Sequence, residues 1–383
     1  MSNHPFMTED QKAVIDLTTQ ILRKELTEDI IKEYDRKGGY PMEVAKVLYD
    51  AGLYGLNVPK KYGGMGLDFR THAMLIEEMA RIDAGFAFSF ISGSVVMDLL
   101  DSYGNEKQCA YVADKLLKEH QYSCFCLTEP DAGSDAGSLR TTYKKVGNEY
   151  VLNGTKCFIT NGPIGDIFIV GATKDRSLKT KGISFFLVEK KDGVKIGKEE
   201  DKMGLRLSVT SDVILDDVHI PEENLIGEEG KGFYYAMGLM DRFRPLNTSY
   251  AVGIAQAALD CATKYAQERK SFGVPIIQHQ AVGFKLAEMQ ARIYACRAMI
   301  RMSCEMNDNG IPLGSLSSAT KFFVSEECFK VADDAIQVLG GYGYMRDYPV
   351  EKYLRDMRIF SIFEGTNQIC RLVVQGDLAR KKF

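Results

Sequence analysis

The apolar pattern of this 383-residue chain changes its period twice, and that change restricts the folds open to it. Up to about Tyr122 and again beyond Gly232 the apolar residues recur at helical spacing, whereas the stretch between carries short β-rich runs separated by turns. In the last third, Val282, Leu286, Met289, Ile293, Cys296 and Ile300 alternate steps of four and three, which predicts one long helix with a continuous apolar stripe. Helices of this kind form bundles, and bundle faces commonly continue into subunit interfaces. In the middle, residues 167–170, 183–188 and 213–215 read as strands, and Asn153-Gly154 after Tyr150-Val151-Leu152 predicts a hairpin turn. The expectation is an α+β chain with a helical domain over 1–121, a β domain over 122–228 and a second helical domain over 229–383.

Punctuation within the first domain is explicit. Thr8 and Gln11 fit a capping box ahead of Val14, Leu17, Ile21 and Leu22. Pro41 suits the first position of a second helix running to about Leu53, closed by the glycine-rich loop over 60–66. Breaks are expected at Asp83-Ala84-Gly85 and at Tyr103-Gly104-Asn105.

Composition narrows the function. With 45% hydrophobic and 26% charged residues the chain is large enough for two or three cores. A net charge of −4, a pI near 5.9 and the lack of a dense basic tract argue against nucleic acid as a partner. Nine cysteines, an odd number scattered through apolar segments, read as reduced core residues. The histidines (His4, His72, His120, His219, His279) are dispersed, so no metal site is expected. No signal-like segment or membrane-length apolar span is visible, which points to the cytoplasm.

The chemistry concentrates in the run from Ser361 to Ile369, where Glu364 stands without an adjacent charge between apolar residues and a Gly-Thr-Asn-Gln turn. A carboxyl group in an apolar wall has its ionised form disfavoured, so its pKa rises toward the range of a general base at neutral pH. The alternative is a surface glutamate preceding a turn. A second motif, Phe125-Cys126-Leu127-Thr128-Glu129-Pro130-Asp131-Ala132-Gly133-Ser134-Asp135, runs from a strand into a loop of small residues whose N–H groups and hydroxyls suit a polar, planar or phosphorylated ligand. There is no G-x-G-x-x-G after a strand and no Walker-type loop.

Together with Phe158-Ile159-Thr160-Asn161-Gly162, Arg269-Lys270-Ser271-Phe272-Gly273 and Gln337-Val338-Leu339-Gly340-Gly341, these motifs make the chain resemble the acyl-CoA dehydrogenase family from about residue 8 to about residue 380. The resemblance implies an N-terminal helical bundle, a middle β-barrel or sandwich and a C-terminal four-helix bundle that builds a homotetramer. It implies FAD held by Phe125, Leu127, Thr128 and Ser134, with Phe158 and Thr160 on the other face of the flavin. Many relatives carry Trp where this chain has Phe158. Arg269, Phe272, His279 and Gln280 resemble residues offered by a neighbouring subunit, Gln337, Gly340 and Gly341 the loop for the adenosine-diphosphate end, and Thr366 and Gln368 the contacts after the base. For the acyl-CoA it implies Ser134, Asp241, Phe243, Arg244 and Gly365. Arg269-Lys270 also reads as a solvated helix end, and Asp241 with Arg244 as a helix-surface ion pair.

The implied reaction is removal of an α-proton by Glu364 and of a β-hydride by the flavin, giving a trans-2-enoyl-CoA, with electrons passed to an electron-transfer flavoprotein. Some relatives carry the base at the position of Phe243, which here accepts no proton. Alternatives are enoyl-CoA reduction in complex with such a flavoprotein, an oxygen-using flavin oxidase or monooxygenase, or a non-catalytic flavin-binding protein. Phe86, Phe88 and Phe90 lie where relatives form the acyl pocket, which favours short, branched or cyclic acyl groups, unless these rings face the bundle core.

Overall fold

The computed structural model describes residues 7–191 and 193–380; His4 and the outermost ends of both helical domains lie outside the described residues. The N-terminal helices are α1 (Glu9–Glu25), α2 (Glu28–Lys37), α3 (Met42–Asp50), α4 (Phe69–Ile91), α5 (Gly93–Tyr103) and α6 (Glu106–Glu119). Thr8 and Gln11 close the expected capping box on α1. The segment between α1 and Pro41 is a helix that the sequence reading passed over: α2 is capped by Thr27 on the Ile30 N–H and has no buried residue, so it offers little apolar period to read. Pro41 is the cap of α3 rather than its first turn, and α3 ends at Asp50, short of Leu53.

Asp83 breaks α4 where a boundary was expected. It takes extended dihedrals inside the helix, and its Oδ1 accepts from the Phe86 N–H at 2.8 Å, capping the second half. Lys352 bonds Asp83 at 2.7 Å and Asp356 at 2.5 Å, and Asp356 accepts from the Leu205 N–H at 2.6 Å. All three side chains are buried, so this network ties the kink to the C-terminal domain and to the β domain.

The β domain holds β1 (Tyr122–Cys126), β2 (Thr142–Val146), β3 (Glu149–Thr160), β4 (Gly165–Thr173), β5 (Ile183–Glu189), β6 (Val194–Glu199), β7 (Thr210–Pro221) and β8 (Leu225–Ile226). Seven strands run in the order β6-β7-β3-β2-β4-β5-β8, and β1 pairs in parallel with β4. The expected turn at Asn153-Gly154 is instead a bulge inside β3, and the hairpin turns at Gly147-Asn148. Close approach dictates that glycine: a Cβ on Gly154 would sit 2.4 Å from Thr141 Oγ1.

The C-terminal domain packs α7 (Gly232–Glu268), α8 (Gln280–Asp308), α9 (Ser315–Leu339), α10 (Val350–Met357) and α11 (Asn367–Arg380), with the short hairpin β9 (Lys270–Ser271) and β10 (Val274–Pro275) between α7 and α8. The predicted stripe on α8 is the buried face, with Leu286, Met289, Ile293, Cys296 and Ile300 all in the core. No single helix among the described residues is long and apolar enough to cross a membrane.

Candidate active site

Glu364 sits on a turn between α10 and α11 with φ of +58°, followed by Gly365 at +84°. A side chain in the left-handed region costs about 1–2 kcal/mol, so the turn needs outside support. Two buried cations provide it. Arg244 on α7 donates from Nε to the Glu364 carbonyl at 3.0 Å and from Nη1 to Asp241 at 3.0 Å and Ser318 at 3.3 Å. Lys321 on α9 donates to the Gly365 carbonyl at 2.7 Å and to Asn367 Oδ1 at 2.9 Å.

Above this turn lies a cavity of roughly 360 Å³. Glu364 lines it, and its Oε2 is closed off from solvent with no hydrogen-bond partner among the described residues. Burial pushes the Glu364 carboxyl above the ordinary glutamate value, while Arg244, Lys321 and the Asn247 amide pull it partly back. The group is poised as an acceptor of protons rather than as half of an ion pair.

The opposite wall comes from the β domain: Phe125, Leu127, Thr128, Ser134, Phe158 and Thr160 all line the cavity. The loop after β1 is held by a buried ion pair in which Lys156 on β3 reaches Glu129 at 2.7 Å and the Leu127 carbonyl at 3.1 Å. Glu129 also accepts from the Arg140 and Thr141 N–H groups at 2.6 and 3.0 Å. Phe158 has φ of +58° and is 67% exposed, an unusual position for a phenyl ring. Asn161, at φ +62°, donates to the Ser89 carbonyl and Ser92 Oγ, which docks this turn on α4. Apolar faces from Phe125, Leu127 and Phe158 beside hydroxyls from Thr128, Ser134 and Thr160 fit a flat ring system with polar edges, as FAD requires.

One face of α7 forms the floor. Met237, Met240, Arg244, Asn247 and Tyr250, in steps of three and four, all line the cavity. Phe243, placed by resemblance among the acyl contacts, is one residue out of phase with that face and packs edge-on against Phe69 at 5.6 Å in the core. Phe86 and Phe90 are also core residues, stacked on Tyr40 and Tyr49, whereas Phe88 on the other face of α4 lines the cavity against Tyr250 and Phe363. Asp241 is half-exposed and reaches the site only through Arg244. The side chains of the cavity and its turn that sequence reading missed are therefore Asn247, Tyr250 and Lys321; the phase of α7 read from Arg244 reveals the first two, and nothing local marks the third.

The remaining candidates lie elsewhere on the chain. Phe272 is 95% exposed at the tip of the β9–β10 hairpin, with His279 beside it and Arg269 and Gln280 exposed nearby in sequence. Gln337, Gly340 and Gly341 are exposed at the end of α9. Thr366 caps α11 by accepting from the Ile369 N–H at 3.3 Å, and Gln368 is exposed.

The site thus sets the Glu364 carboxylate, its Oε2 closed off from solvent, across a cavity from an apolar and hydroxyl-bearing wall of the β domain, within an α–β–α scaffold. Models of the N-terminal, middle and C-terminal domains of acyl-CoA dehydrogenase match residues 8–120, 124–218 and 230–378. The chain is 39% identical to the caffeyl-CoA reductase-Etf complex subunit CarC of Acetobacterium woodii, over 98% of this chain and 100% of that protein. It is 40% identical to the mitochondrial short-chain specific acyl-CoA dehydrogenase of Mus musculus, over 92% and 86%. Among solved structures, butyryl-CoA dehydrogenase from Megasphaera elsdenii superposes with a TM-score of 0.93 at 36% identity, covering 98% of this chain and 99% of that one. The chain belongs to the acyl-CoA dehydrogenase family, a family of flavoprotein oxidoreductases.

Proposed function

We propose that the protein interconverts an acyl-CoA and its trans-2-enoyl-CoA, with Glu364 as the base that takes the α-proton. The observation that carries this reading is the Glu364 Oε2, buried at the cavity wall with no hydrogen-bond partner among the described residues. Phe125, Leu127, Thr128, Ser134, Phe158 and Thr160 would hold FAD, which would supply the hydride acceptor. Glu364 offers two groups to a thioester: the carboxylate for the α-proton, and a backbone N–H that makes no backbone hydrogen bond among the described residues and suits the developing enolate oxygen. Arg244 and Lys321 keep the turn from relaxing, so both groups stay aimed at one point.

Arg269, Phe272, His279, Gln280, Gln337, Gly340 and Gly341 lie outside the cavity, which suits contacts made to the cofactor of a second copy in a homotetramer. Electrons pass to an electron-transfer flavoprotein in this reading. Enoyl reduction is the second reading, favoured by the likeness to the caffeyl-CoA reductase-Etf complex subunit and to a 3-(aryl)acrylate reductase of Clostridium sporogenes at 38% identity. The same Glu364 then returns the proton. Anaerobic titration with short, branched, cyclic and aryl acyl-CoAs, following loss of flavin absorbance, tests the forward reaction. Reoxidation of the reduced protein by the matching enoyl-CoAs tests the reverse, and failure of both overturns the proposal.

A further inference from the structure

Lys321, the cation on the α9 side of the Glu364 turn, does not line the cavity, yet it is among the most deeply buried charges of the described residues. Lys321 is 1% exposed. Its ammonium bonds the carbonyl of the residue next to the base and the side chain of Asn367, the first residue of α11. Asn367 is in turn held by Ser325 and Glu326, and Cys370 Sγ approaches the same Gly365 carbonyl at 3.7 Å. A buried ammonium without a paired carboxylate is costly to keep, and a purely structural bond to two carbonyl oxygens could be made by a neutral donor.

We infer that Lys321 is a positioning residue for Glu364: it holds the left-handed Glu364-Gly365 turn through the Gly365 carbonyl, and its charge favours the ionised carboxylate that acts as base. This rests on the reading of Glu364 as the base. The groups facing this pair are Arg244, Asn247 and Tyr250 from α7, Glu326 from α9 itself, and Asn367 and Cys370 from α11. Burial pushes the Lys321 ammonium down to about 8, with Cys370 and then Glu364 pulling it back up, so it carries its charge at neutral pH. Of the other cations among the described residues, only Arg244 acts on Glu364, and its bond to that residue is to the backbone.

The sign follows. Removing a neighbouring positive charge disfavours the carboxylate, so the Glu364 pKa rises and the alkaline rise in rate moves to higher pH. Lys321→Gln keeps a donor for the Gly365 carbonyl but no charge, Lys321→Met removes both, and Lys321→Arg keeps the charge. The rate of flavin reduction by the best acyl-CoA is measured from pH 5 to 9, and the Glu364 carboxyl is titrated in parallel by ¹³C NMR, assigned by its loss in Glu364→Gln. Both midpoints are expected to move up by about one pH unit in the Gln variant and to stay near the parent value in the Arg variant. Met is expected to slow the reaction further at every pH. An unchanged NMR midpoint in Lys321→Gln overturns the inference, whatever the rates do. If no acyl-CoA reduces the parent's flavin, the functional reading fails separately, and the NMR titration still decides whether Lys321 governs the carboxyl.

Discussion

Arg244 Nε donates to the backbone carbonyl of Glu364 at 3.0 Å, so the guanidinium bonds the turn itself and reaches the carboxylate that the turn presents through its charge rather than through a hydrogen bond. Its fork is divided among the Glu364 carbonyl, Asp241 and Ser318. A lysine cannot reproduce three such directions. Arg244→Lys is therefore expected to keep FAD content but to lose roughly tenfold or more in flavin reduction, the scale of a misplaced catalytic group. Rates within twofold of the parent would show that the turn holds itself.

Glu364→Gln preserves the size of the side chain and the backbone N–H while removing the proton acceptor. We expect acyl-CoA binding to persist and flavin reduction to fall by roughly 10²-fold or more. Burial raises the Glu364 carboxyl, so the parent rate should climb with pH through one ionisation lying above the ordinary glutamate range. Stopped-flow measurement on both proteins reads the two effects together; a variant with the parent's rate places the base elsewhere.

Selectivity for the acyl group is expected to follow Tyr250 and Phe88, which line the cavity, and not Phe243, which does not. Tyr250→Ala should extend the accepted chain length relative to a short acyl-CoA. Phe243→Ala should leave that ratio alone and cost about 3–5 kcal/mol of stability through the cavity opened beside Phe69. Steady-state rates across a saturated acyl series, with thermal melts, separate the two outcomes. A changed ratio in the Phe243 variant alone contradicts this assignment.

The ion pair of Glu129 and Lys156 makes the loop after β1 sensitive to acid. Burial raises the Glu129 carboxyl, but Lys156 and the Thr141 and Arg140 contacts outweigh it and hold the group below its ordinary value. A depressed carboxylate pKa adds stability above the unfolded value that is lost as pH falls through the folded one. Stability and FAD retention should thus decline together on acidification below about pH 4.3, the ordinary glutamate value. Lys156→Met, which strands a buried carboxylate, should cost about 3–5 kcal/mol. Melting curves against pH check both; a Lys156→Met protein as stable as the parent at pH 7 excludes the pair as the loop's anchor.

What the sequence by itself determined was local. The Thr8-Gln11 cap, the break at Asp83, the stripe on α8 and the two changes of apolar period depend on neighbours three or four residues away or on alternation along a strand, and each stands where it was read. The lone glutamate was also visible, because an unpaired carboxyl among apolar residues is conspicuous without a structure. The tertiary structure decided what distance along the chain conceals. Asn153-Gly154 has the composition of a turn, but contact with Thr141 makes it a bulge. Phe243 stands beside Arg244 in sequence, yet one residue of helix rotates it by about 100° into the core. Lys321 lies in an unremarkable helical stretch, and only the packing of α9 against the turn before α11 carries its ammonium to the Gly365 carbonyl. Burial and the direction of a side chain depend on which elements meet, and that is set by the whole chain's packing rather than by any one segment's pattern.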